Sequence, residues 1–182
     1  MNLTPEQIPN CHNDHRGNQV KACRFIFGVM YSRQEASLIK QEFWTAFGQY
    51  MGPILSAEGE KINWINYKTG DKNIVFRMHA DNKKADIGVE FTHKDQEIQQ
   101  LYFEQLLQFK SLFADAVQEE WKWRLHSRDE FGRVVSRISA ERNNLSIYQK
   151  KDWPDLISFF KPRIIALDTF WSSVKYAFKS LR

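Results

Sequence analysis

Two adjoining runs of alternation constrain this chain more than any other feature. Ile74, Phe76 and Met78 alternate with Val75, Arg77 and His79; after Asp81-Asn82, the residues Ala85, Ile87, Val89 and Phe91 alternate with Asp86, Gly88, Glu90 and Thr92. A period of two over such lengths predicts half-buried antiparallel strands, apolar on one face and polar on the other. The polar face of the second run carries two carboxylates, Asp86 and Glu90. Whether they hold a metal or merely face water decides between a nuclease and a binding fold.

Around these runs the chain follows a plan that is used twice. Ser32-Arg-Gln-Glu35 is a capping box, and Ala36, Ile39, Phe43, Phe47 and Tyr50 follow it at helical spacing until Gly52-Pro53 stops the helix. A strand is expected over 62–67, then a turn at Lys68-Thr-Gly-Asp71 and the two alternating runs. Asp95 caps a helix expected over 96–118, with the stripe Ile98, Tyr102, Leu106, Phe109, Phe113 and Ala116; Phe103 and Leu107 fall off that stripe. The pattern then restarts. Trp121, Trp123 and Leu125 alternate with Lys122, Arg124 and His126, a turn at 129–132 leads into a strand over 134–140, and a short strand is expected over 145–148. Asp152-Trp-Pro-Asp155 opens the last helix with a cap, an early proline and an acid facing the dipole; Pro162 is expected to kink it.

The order is a helix followed twice by strand-strand-strand-helix. It predicts an α+β fold: an antiparallel sheet built from two such units, helices on one face, preceded by an N-terminal helix. The 182 residues suit one domain, and 14 % aromatic residues, with fourteen Phe and six Trp, supply a core. Residues 1–29 lack any sustained period and read as a flexible leader to a domain over 30–182. Cys11, His12, His15 and Cys23 in that leader have zinc-ligand chemistry but no usual zinc spacing, so no metal site is expected. No apolar run approaches the ~18 residues of a membrane span and no secretory segment can be placed, which makes the cytoplasm the expected compartment.

Four stretches fall in order with gaps that resemble a bacterial family known only as domain of unknown function 4268. They are Glu42-Phe-Trp-Thr-Ala-Phe47, Leu55-Ser-Ala-Glu-Gly-Glu-Lys-Ile-Asn-Trp64, Leu101-Tyr-Phe-Glu-Gln105 and Trp153-Pro-Asp-Leu-Ile-Ser-Phe-Phe160. The resemblance spans nearly all of 30–182. It implies that residues 1–29 stem from an over-extended start, and it suggests a defence or restriction setting. It implies no assigned reaction, cofactor or catalytic residue.

A metal-dependent nuclease would draw on Asp81, Asp86 or Glu90 and on Mg²⁺, but the expected acid-x-Lys triplet is here Glu90-Phe-Thr92, and Thr cannot replace the ammonium. Cross-strand pairing with Arg77 and His79 accounts for Asp86 and Glu90 without a metal. The sequence favours instead a non-catalytic binding module without a cofactor. If Trp121 and Trp123 pack on the helices, Lys122, Arg124 and His126 face outward, joined by Arg137, Arg77 and, near the turn, Arg133. Such a face could bind nucleic-acid phosphates, with Trp64 or Tyr148 stacking on bases. A third alternative is a homodimerisation or scaffold role through the off-stripe Phe103 and Leu107.

Overall fold

A computed structural model describes residues 24–26, 29–129 and 132–181. Ser32 starts the first helix as its spacing predicts. Its hydroxyl accepts from the Glu35 N–H at 3.2 Å while the Glu35 carboxylate takes the Ser32 N–H at 2.7 Å, fixing α1 over Arg33–Met51. Losing such a cap costs about 0.5–2 kcal/mol. Before it, β1 (Arg24–Ile26) pairs antiparallel with β2 (Val29–Tyr31). The end of the expected leader therefore contributes to a pair of short antiparallel strands. Cys11, His12, His15 and Cys23, which have zinc-ligand chemistry without the spacing, lie outside the described residues.

The two alternating runs form β3 (Ile74–Ala80) and β4 (Lys84–Phe91), and the second pair forms β5 (Lys122–Arg128) and β6 (Val134–Asn143). All pairings are antiparallel, and the sheet order is β3-β4-β6-β5. Each hairpin thus contributes its second strand to the centre and its first strand to an edge, and a helix follows each central strand.

The helices gather on one face. Behind β4, α2 (Gln96–Leu107) packs Tyr102 and Phe103 against Phe91, and α3 (Lys110–Val117) sets Phe113 among Trp121, Trp123 and Phe170. Behind β6, α4 (Trp153–Val174) brings Trp171 against Phe76, and α1 lies on α4 through Phe43, Trp44 and Phe47 around Phe160. A 3-10 helix, Lys175–Leu181, ends the described chain and buries Phe178 against Tyr102 and Trp171. Full burial of each such ring stabilises the fold by about 1.5–3 kcal/mol. The fold is α+β with an antiparallel sheet, as the element order predicts.

Three local expectations differ from the structure. Residues 62–67 form no strand: Asn63 Oδ1 accepts from the N–H groups of Ile65 and Asn66, both at 3.1 Å, and folds the segment into a turn. Residues 145–148 form no strand either. Leu145 and Ile147 donate backbone bonds to Lys83 and Asp81 as a strand would, but the chain turns at Gln149, whose N–H bonds the Ser146 carbonyl. The helix expected over 96–118 is interrupted at Gln108-Phe109 into α2 and α3, and Phe113 of α3 lies in the aromatic cluster. Pro162 lies inside α4 at an exposed position, and the helix continues beyond it to Val174.

Candidate functional site

The strand residues that point away from the helices build one polar face. Parity places Arg77 and His79 on it from β3, Lys84, Asp86, Gly88 and Glu90 from β4, Arg137, Ser139 and Glu141 from β6, and Lys122 and Arg124 from β5. Register then decides who meets whom. His79 stands opposite Asp86, Glu90 opposite Arg137, Asp86 opposite Glu141, and Arg124 opposite Arg137.

The two carboxylates are buried on this face, Asp86 at 4 % and Glu90 at 5 % exposure. Arg77 Nε donates to Glu90 Oε2 at 2.7 Å, and His79 Nδ1 lies 3.3 Å from Asp86 Oδ2. These are the cross-strand partners that the alternation predicts. The sequence reading did not foresee that Arg137 joins them. Its guanidinium donates to Asp86 Oδ1 through one terminal nitrogen and holds Nε 3.2 Å from Glu90 Oε1, so one cation bridges both acids. Burial alone would raise the Asp86 pKa; the hydrogen bond from His79 and the charge and hydrogen bond of Arg137 outweigh it and hold the carboxyl below its ordinary value. Glu141, bonded by Lys122 foremost, is likewise held low.

At the β5 edge the cations are more open. Lys122 pairs with Glu141, and Arg124, exposed, makes no hydrogen bond or ion pair among the described residues. Like charges directly opposite repel, and Arg137 turns from Arg124 toward the β4 acids.

His126 does not join this face. A bulge between Arg124 and Ser127 shifts the register, and His126 takes a left-handed φ of 49°. Its N–H donates to Ser136 Oγ at 3.2 Å, and its Nε2 approaches the Gln96 carbonyl at 2.9 Å, on the helix side. Arg133 sits at the β5–β6 turn and pairs with Asp129 at 2.7 Å.

Other expected participants are placed elsewhere. Trp64 is 2 % exposed, its indole donating to the Ile54 carbonyl at 3.0 Å, and Tyr148 is buried beside Tyr31, so neither ring is open to a base. Phe103 is a core residue between Phe91 and Trp123, which removes it from any seam; Leu107 is exposed. Asp81 Oδ1 accepts from the N–H groups of Lys83 and Lys84 and shapes the β3–β4 turn, apart from the Asp86–Glu90 cluster. Among the described residues no three of His, Cys, Asp and Glu converge as a metal site.

Two charged members of the face went unnoticed in the sequence. Lys84 shares the parity of Asp86 and could have been found by extending the alternation back one step. Glu141 was missed because the strand was expected to stop at Ala140, whereas β6 runs on to Asn143.

A family model described as Domain of unknown function (DUF4268) matches residues 39–175, and the chain belongs to that family. No curated protein and no solved structure matches the chain. Among the described residues no helix is long and apolar enough to cross a membrane.

Proposed function

We propose that this domain is a non-catalytic binding module that takes nucleic-acid phosphates on the β5 side of the open sheet face. One observation carries the reading: the two central acids of the face are buried, while cations around them stand exposed. The side chains of Asp86 and Glu90 are each 6 % exposed, while those of Arg77 and Lys122 are 45 % and 54 % exposed. A polyanion approaching this surface meets guanidinium and ammonium groups first. Arg124, which makes no side-chain hydrogen bond or close ion pair among the described residues, gains most from a phosphate.

The same arrangement favours binding over catalysis. A carboxylate committed to Arg137, Arg77 or His79 has fewer free lone pairs for Mg²⁺, and the arginines would have to leave before a metal entered. Aromatic stacking, once expected from Trp64 and Tyr148, plays no part in this reading. The setting that goes with it is the cytoplasmic, restriction- or defence-associated one suggested by the family resemblance.

The test is affinity for DNA and RNA duplexes as salt is raised. Sequence-independent contact gives dissociation constants of ~10⁻⁴–10⁻⁶ M, and each lost phosphate contact reduces the log–log salt slope by about 0.9. Removing Lys122 and Arg124 together should flatten that slope by about two contacts' worth. An absence of binding at low salt, or a slope unchanged in the double variant, overturns the proposal.

A further inference from the structure

The stretch Leu55–Trp64, prominent in the family resemblance, has no part in the sheet face. It belongs to the long connection between α1 and β3, which side chains hold in place: Trp64 Nε1 bonds the Ile54 carbonyl at 3.0 Å and Trp171 Nε1 bonds the Thr69 carbonyl at 2.8 Å. Between this connection and the C-terminal half of α4 lies a cleft of about 350 Å³, lined by Ser56, Glu58, Glu60, Tyr67, Asp168 and Lys175 among others. That volume falls at the small end of ligand pockets.

Asp168 is the unusual group in it. It sits in the apolar stripe of α4 between buried Leu167 and Trp171 and is itself 4 % exposed. The Tyr67 hydroxyl donates to Oδ1 at 2.6 Å and the Ala57 N–H to Oδ2 at 2.6 Å. Both oxygens are acceptors, as in an ionised carboxylate. Tyr67 remains a donor, since burial first, then the bond to Asp168, drives its pKa far above the ordinary phenol value. Among the described residues no cation pairs with Asp168; Lys175 is bonded to Glu58 instead. A buried carboxylate without a cation is costly, and two hydrogen bonds offset only part of that cost. About half of its four lone-pair positions remain. The lining as a whole sets three carboxylates, Asp168, Glu58 and Glu60, against the two ammonium groups of Lys68 and Lys175.

The geometry points to a binding site for a small organic cation, an ammonium or guanidinium group on a metabolite-sized molecule, whose N–H donors complete Asp168 with Glu60 at the rim. This site is independent of the sheet face and stands or falls separately from it.

The experiment is an NMR titration of the whole chain with n-butylammonium, n-butanol and butyrate. The reporters are the Ala57 amide and the Trp171 indole N–H, which border the cleft. Millimolar n-butylammonium should shift both signals, with n-butanol and butyrate weaker by about tenfold or more, as expected for a charge-assisted bond. Asp168→Asn should abolish the cation's advantage. Because Asp168 also ties Ala57 and Tyr67 to α4, Glu60→Gln at the exposed rim supplies a variant that spares the fold and should weaken n-butylammonium several-fold. Equal responses to the cation and the alcohol overturn the proposal. So does a cation response that survives in a folded Asp168→Asn or is unchanged in Glu60→Gln; Asp168 is then only a pin between the connection and the helix.

Discussion

Arg137 crosses the sheet directly over Gly88, and the absence of a side chain at Gly88 is what allows it. A Cβ there would stand 3.0 Å from Arg137 Nε, 3.0 Å from Ser139 Cβ and 2.7 Å from the Ile138 carbonyl oxygen. The arginine tip could give way, but the backbone carbonyl of the neighbouring strand could not. Gly88→Ala should therefore destabilise the domain by about 1–3 kcal/mol, the usual range for overpacking. Urea denaturation would register this as a lower midpoint at unchanged slope.

Arg137 bridges two buried acids, and removing it leaves them with only Arg77 and His79. Arg137→Leu should cost about 3–5 kcal/mol at neutral pH, as expected when one partner of a buried ion cluster is lost. Equilibrium unfolding of the variant tests this. A loss no larger than that of an exposed pair, at most about 1 kcal/mol, would mean that water already serves Asp86 and Glu90.

Asp86 also sets an acid limit. Its folded-state pKa lies below the ordinary value of 3.8, so folding favours the ionised form. The associated stability is fully present above that ordinary value and is lost as pH falls through the lower folded-state value. The difference in unfolding free energy between wild type and Asp86→Asn should be greatest near neutrality and should narrow below about pH 4. A difference that stays constant down to the acid unfolding transition would contradict the pairing.

Gln118 ends α3 in a left-handed conformation, φ 53° and ψ 28°, where its N–H closes on the Ala114 carbonyl. A side chain strains that geometry and glycine does not. Gln118→Gly should raise stability by about 0.5–1 kcal/mol despite losing the side-chain bond to the Asp115 carbonyl, which is exposed. Thermal unfolding would show the gain.

The proposed binding role predicts inertness toward nucleic acid. Plasmid DNA incubated with the domain and Mg²⁺ or Mn²⁺ should remain intact. Cleavage that disappears in Glu90→Ala or Asp86→Asn would establish that the guanidinium cover opens to admit a metal, and would reverse the assignment.

Much of the architecture was legible because it rests on local periodicity. The alternation of Ile74, Phe76 and Met78 and of Ala85, Ile87, Val89 and Phe91 fixed which side of each strand meets the helices, and the caps at Ser32 and Asp95 fixed two helix starts. Parity alone put Arg77, His79, Asp86 and Glu90 together and set Lys122 and Arg124 on a common face. Where alternation lacked a neighbouring strand it misled: residues 62–67 have the apolar spacing of a strand, but Asn63 turns the backbone and Trp64 finds its partner in Ile54.

What only the tertiary structure decided is how charges are shared between strands distant in sequence. Whether Arg137 serves a phosphate or Asp86 depends on β6 lying beside β4 in one register, and a slip of one residue would reverse it. The bulge that turns His126 toward Gln96, and the pairing of Asp168 with Ala57 and Tyr67 across more than one hundred residues, are set in the same way. Side-chain spacing along one strand or helix is a property of its own residues. The partner of a buried charge is chosen by whichever segment the folded chain brings alongside it.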